Sequence, residues 1–193
     1  MSTLPLISEL MEREIPLSAT EKLAVDQLIP VMGYAKGDIL LQEGQVARRC
    51  YFVIKGCVRA YQLVEGKERN TDFYLEGDPV ASLTSYLHQS PANHYLACME
   101  KSVLAVLSYE NEQQLYQQHP KFEALCRNSI ESAFGKQQAA LQQLLTQSPE
   151  TRYLELRKNR PELLQRVPQY HLASFLGIEP ESLSRIRKRL AAQ

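Results

Sequence analysis

Glu181, Ser184 and Arg185 stand at i, i+3 and i+4, the spacing that brings three side chains onto one face of an α-helix. On such a face an arginine can form a two-pronged pair with guanine O6 and N7, and a carboxylate can accept from cytosine N4. Arg187, Lys188 and Arg189 follow at once, with charge suited to attracting phosphates and fixing register more than to reading sequence. Gln169 and Ser182 complete the expected contact set. A helix face that is merely solvated, or that binds protein, carries the same residue types, so spacing alone leaves that reading open.

Other chemistry finds no such constellation. The four cysteines, Cys50, Cys57, Cys98 and Cys126, form no CxxC pair and have no histidine at zinc-ligand spacing, so they read as buried reduced thiols. His88 and His94 read as ordinary loop residues, and no His-x-His pair with a downstream carboxylate exists. No nucleophile and base stand together. An enzyme is therefore not expected, nor a metal or cofactor.

The triplet needs a scaffold, and the residues around it supply one. Pro168 can start a first helix, Ala173 is small where two helices would cross, Gly177 can take the φ > 0 turn, and Pro180 suits the first position of a second helix. Leu172, Phe175, Leu176, Ile178, Leu183 and Ile186 form one small core. The pattern predicts a helix-turn-helix from about Pro168 to Leu190. Charge agrees: net charge is zero overall, yet residues 1–150 hold 13 Lys/Arg against 18 Asp/Glu, while 151–193 hold 9 against 4. A basic last quarter suits a polyanion.

Upstream, Pro120 opens a stretch of helix formers from Lys121 to Thr146 in which Ile130, Phe134, Gln137, Leu141 and Leu144 repeat at steps of four and three. That is a coiled-coil seam, suited to pairing with a second copy; the same face could pack on the chain's own β-domain. Ser148-Pro149 ends the helix and reads as a hinge. Between Met32 and Ser108 lie short β-type runs (Ile39–Leu41, Cys50–Ile54, Val58–Leu63, Val103–Leu107) separated by glycine corners, which predicts a compact antiparallel barrel, jelly roll or sandwich. Ser18 and Glu21 mark a capped helix to Leu28. No run approaches a membrane span, and Met1–Glu14 carries Glu9, Glu12 and Glu14 where a leader would be basic. A cytoplasmic protein is expected.

Taken together, the chain resembles the Crp/Fnr family of transcription regulators. The resemblance rests on Lys36-Gly37-Asp38, Glu43-Gly44, Ile54-Lys55-Gly56-Cys57-Val58, Gly77-Asp78, the long helix, the Leu172–Ile178 run, and most of all Glu181-x-x-Ser184-Arg185. It implies an α+β fold: an N-terminal antiparallel β-roll, a long dimerisation helix and a C-terminal helix-turn-helix lacking most of the wing. The expected domains are a cyclic-nucleotide-binding-like sensor (1–116), a dimerisation helix (117–147) and a DNA-binding unit (148–193). It further implies a homodimer on a palindromic, TTGA-like site in double-stranded DNA, with RNA polymerase as a partner.

Three departures qualify the resemblance. The phosphate cassette of cyclic-nucleotide members has its counterpart at Ala81-Ser82-Leu83 and near Ala92-Asn93-His94, and no basic residue lies between Asp78 and Glu100. A buried phosphate without a cation is costly, so cyclic AMP or GMP is not expected. Ser82, Leu83, Asn93 and His94 would line any effector pocket, for an unknown small molecule or none. The clustered N-terminal cysteines of an iron–sulfur centre are missing. Only Ala191, Ala192 and Gln193 follow the second helix, which leaves no room for a wing hairpin and predicts a shallow salt dependence or a need for tight dimer geometry. The alternative function is a β-roll ligand-binding or protein-interaction module that does not touch DNA.

Overall fold

The computed structural model describes residues 4–13 and 15–191. Glu14 of the acidic start, and Ala192 and Gln193, on which the wing expectation turns, lie outside the described residues.

Two helices open the chain, α1 (Ile7–Met11) and α2 (Ala19–Leu28). Ser18 caps α2 as its sequence predicts. Its hydroxyl accepts from the Glu21 N–H at 3.3 Å, and the Glu21 carboxylate takes the Ser18 N–H at 2.7 Å, closing a capping box.

The next segment is β1 (Val31–Tyr34), β2 (Ile39–Leu41), β3 (Arg49–Lys55), β4 (Val58–Val64), β5 (Lys67–Tyr74) and β6 (Pro79–Val80), then α3 (Leu83–His88), β7 (Tyr95–Cys98) and β8 (Ser102–Ser108). The strands form two antiparallel sheets, ordered β1-β8-β3-β6 and β2-β7-β4-β5. Alternation drives them together, because each strand turns every second residue inward. Tyr51, Val53, Leu104 and Val106 of one sheet meet Leu41, Val58, Ala60 and Leu96 of the other in a single core. At the β3–β4 corner Gly56 has φ +112°, and a Cβ there would stand 2.3 Å from Ser102 Oγ, so the corner admits no other residue.

On the outer face of the first sheet, Ala105 packs with Ile7, Val25 and Leu28, with Leu115 of α4 (Tyr109–Gln118), and with Phe122 at the start of α5 (Lys121–Thr146). Helix α5 has 26 residues, about 39 Å at 1.5 Å per residue, with the bounds its sequence predicts. Four short helices follow: α6 (Pro149–Asn159), α7 (Pro161–Arg166), α8 (Gln169–Phe175) and α9 (Pro180–Ala191). Their apolar residues share one cluster with Cys57, Phe73 and Leu75 of the roll. Head and roll are thus joined by a common core as well as by the chain. No described helix is long and apolar enough to cross a membrane.

Candidate nucleic-acid interface

The helix-turn-helix is formed by α8 and α9. Gly177 takes φ +67° in the turn, and Pro180 opens α9, where its missing N–H costs nothing. Leu183 and Ile186 are buried, while Glu181, Arg185, Arg187 and Lys188 are exposed and Ser182 and Ser184 are half-buried. The outward triplet therefore shares one face of the helix start. Glu181 sits in the first turn, where the helix dipole favours a carboxylate. Arg185 Nη2 donates to Ser182 Oγ at 3.0 Å, which steadies the guanidinium on the open face. Arg189 is ion-paired with Glu150 of α6. Gln169 is the first residue of α8 and half-buried.

The opposite side of the head is fastened to the roll by residues to which the sequence reading gave no role there. Ser174 Oγ accepts the Asn70 N–H at 2.9 Å across 104 positions of sequence. Asn70 Nδ2 donates to His171 Nδ1 at 3.0 Å, and Arg59 Nη1 donates to Asn70 Oδ1 at 3.1 Å. His171 Nδ1 faces two donors, Asn70 and Arg59, so it carries no proton. Burial first, then the Arg59 charge, lowers its pKa to about 4. Phe175 packs edge-on against Phe73, with ring centroids 5.4 Å apart.

Two arginines of the head complete the joint. Arg160 Nη2 donates to the Phe73 carbonyl at 2.6 Å, and its guanidinium lies 3.7 Å from Asp72 and 3.6 Å from Asp78. Burial lifts the Asp72 carboxyl to about 6 despite that cation. Arg166 reaches Glu76 at 2.7 Å and Glu100 at 2.5 Å, and holds Glu76 down to about 2. No local pattern announces these partners, because each joins elements far apart in the chain.

The stripe on α5 is open. Phe134 is 60% exposed, Leu141 57% and Leu144 48%, with Ile130 and Gln137 exposed beside them. Leu145, 76% exposed, extends the apolar face beyond the five expected positions. Over this stretch the face does not pack on the chain's own roll.

The residues expected around an effector do not meet at either of the two cavities described. Ser82 is buried at the N-cap of α3, Leu83 and Asn93 are exposed, and His94 is half-buried, its pKa lowered by burial. Tyr86 and Leu96 fill the roll. An open cavity of about 250 Å³ lies elsewhere, over Leu41, Tyr51 and Leu96, with Arg48 and Arg49 at its rim. A second, of about 420 Å³, is lined by Tyr34, Lys36 and Lys101. All four cysteines are free. Burial raises the Cys50 and Cys57 thiols to about 12, which removes the reactive thiolate at neutral pH. Among the described residues no group of three His, Cys, Asp or Glu could hold a metal.

Residues 31–119 match the family model of the cyclic nucleotide-binding domain. No curated protein sequence matches the chain. Solved structures with the same architecture include the c-di-GMP-responsive global regulator CLP of Xanthomonas campestris. It is 21% identical, with 91% of this chain and 92% of CLP covered and a TM-score of 0.69. FixK2 of Bradyrhizobium japonicum is 17% identical over 86% of this chain and 85% of its own, with a TM-score of 0.69. A CooA variant from Carboxydothermus hydrogenoformans is 16% identical over 94% and 83%, with a TM-score of 0.68.

Proposed function

We propose that this chain, a cyclic nucleotide-binding-type β-roll joined to a helical head in the fold of the Crp/Fnr regulators, is a transcription regulator that reads DNA as a homodimer. The observation that carries the reading is the two-sidedness of α9. Leu183 and Ile186 anchor it inward, and Glu181, Ser184 and Arg185 are left on the outward side of its start. A helix held by one face and charged on the other is what the major groove accepts. Arg185 pairs with a guanine, Glu181 with a cytosine, and Ser182 and Ser184 adjust the approach, on a TTGA-like half-site. Gln169, Arg187 and Lys188 hold phosphates.

Two copies joined along α5 present two reading helices to one palindrome. The apolar stripe supports this, since coiled-coil spacing with no cover on its own chain fits a second copy. RNA polymerase is the protein partner, and the protein is cytoplasmic and not an enzyme. Cyclic AMP is not its signal, because the cassette region has no cation to meet a phosphate.

Gel shifts on palindromic sites selected from random DNA test the reading. Arg185→Ala should weaken specific binding about 10- to 100-fold, the equivalent of one lost bidentate base contact, and leave binding to random DNA unchanged. Enrichment of no palindrome by the wild-type protein, or an Arg185→Ala variant of full specific affinity, would refute it. The first of these outcomes is what a roll that merely binds a ligand or a protein would give.

A further inference from the structure

Arg152 lies in α6 and contacts neither the reading face nor the roll in any hydrogen bond or ion pair described. Its guanidinium instead reaches the ends of two other helices. Nη1 donates to the Gln147 carbonyl at 2.8 Å and reaches the Leu144 carbonyl at 3.4 Å, both at the C-terminus of α5. Nη2 donates to the Leu176 carbonyl at 2.6 Å, at the C-terminus of α8. Unpaired carbonyls at a helix C-terminus carry partial negative charge, so one cation satisfies two helix ends that would otherwise lie side by side unbalanced. Packing repeats the link: the Leu144 side chain comes to 3.6 Å, and Arg152 Nη2 to 3.8 Å, of where a Cβ on Gly177 would stand. Gly177 is the turn between α8 and α9, so the end of the proposed dimer helix is fixed to the hinge of the reading motif.

The site has a cost. Arg152 Nε and Gln147 Oε1 are buried without a partner, and such groups are uncommon in a well-packed interior. A neutral residue would relieve the burden at Nε. Only a planar, forked cation spans three carbonyls on two helices at once, a task the single ammonium of lysine does not reproduce.

We infer that Arg152 is the positioning residue that fixes the reading helix against the dimer helix, and so sets the spacing of half-sites the dimer accepts. The inference rests on the proposed DNA reading for its consequence, but not for its geometry. In a rigid dimer the two reading helices stand about one duplex turn apart, about ten base pairs. A loosened clamp lets each head swing. The bases read in each half-site stay the same while the tolerance for spacing widens.

Two measurements on the full-length protein test this, with Arg152→Ala and, in case that variant folds poorly, Arg152→Lys. The first is hydrogen exchange without DNA. The Gln147 and Gly177 amides, bonded to Gln143 and Ser174, should exchange about tenfold faster in the variants, while amides of the roll stay protected. The second is a gel shift on palindromes whose half-sites are moved apart or together by one and two base pairs. The wild type should prefer one spacing by about tenfold or more, and the variants should bind neighbouring spacings within about threefold of one another with unchanged base preference. Unchanged exchange at both amides overturns the clamp. Faster exchange with the wild-type spacing profile kept, and affinity reduced evenly, reduces Arg152 to a stabilising residue and overturns its role in spacing. A wild-type protein that selects no palindrome defeats the DNA reading and the spacing claim together, while the exchange result still decides the clamp.

Discussion

Helix α5 and the four-helix head that follows it make opposite use of apolar residues. Of the 26 residues of α5 only Phe122, at its very start, is buried; Leu125 and Cys126 beside it are half-buried, and Ile130, Phe134, Leu141, Leu144 and Leu145 beyond them are exposed. The head is built from helices of 6 to 12 residues, too short to be stable alone, and each contributes to a core that the roll helps to complete. The difference separates two tasks. Docking on the roll fixes where α9 points within its own chain, and in the proposed dimer pairing along α5 would fix how the two copies of α9 stand to each other.

The largest effect should come from the open face. Phe134→Glu places a charge in the middle of the α5 stripe and should leave a monomer by sedimentation, with affinity for a palindromic site down about 100-fold or more as the second contact is lost, and with the melting temperature of the roll kept. A monomeric wild type would remove this half of the contrast. Next comes the shared core: Phe73→Ala should cost about 3–5 kcal/mol, with roll and head melting in one transition in calorimetry. Two separate transitions in the wild type would mean that the head is an independent body.

Arg166→Ala removes partly exposed ion pairs and should cost only about 1 kcal/mol, measured by urea unfolding. The smallest effect is that of pH. His171 is held near 4, below its usual 6.5, so its neutral ring contributes stability above pH 6.5 that is lost as pH falls toward 4. Asp72 works the other way: with its carboxyl lifted from 3.8 to about 6, the fold gains relative stability as pH falls through that window. His171→Gln should therefore lose less stability than the wild type between pH 7 and 5 in thermal melts, and identical slopes would remove His171 from the joint.

What could be read from sequence divides along the same line. The capping box at Ser18, the bounds of α5, the turn at Gly177 and the start of α9 at Pro180 all follow from contacts within a few residues. Strands β2, β3, β4 and β8 announced themselves as short β-type runs set between glycine corners. Strand β5 did not, because Lys67–Tyr74 opens with six polar residues and becomes a strand through its pairing with β4 and the cover of α8. Helices α4, α6 and α7 went unassigned, being short and polar outside. The outward triplet could be found from its spacing; the anchor behind it could not, since His171, Ser174, Arg160 and Arg166 find their partners only once the sheets exist.

Strand β5 lies at the border of its sheet, and the Asn70 N–H that points away from β4 is taken by Ser174 of the head. Such a border is a template on which a foreign strand can grow. The head thus serves as a guard against polymerisation, and any signal that worked by lifting it for long would expose the protein to clumping with its own kind.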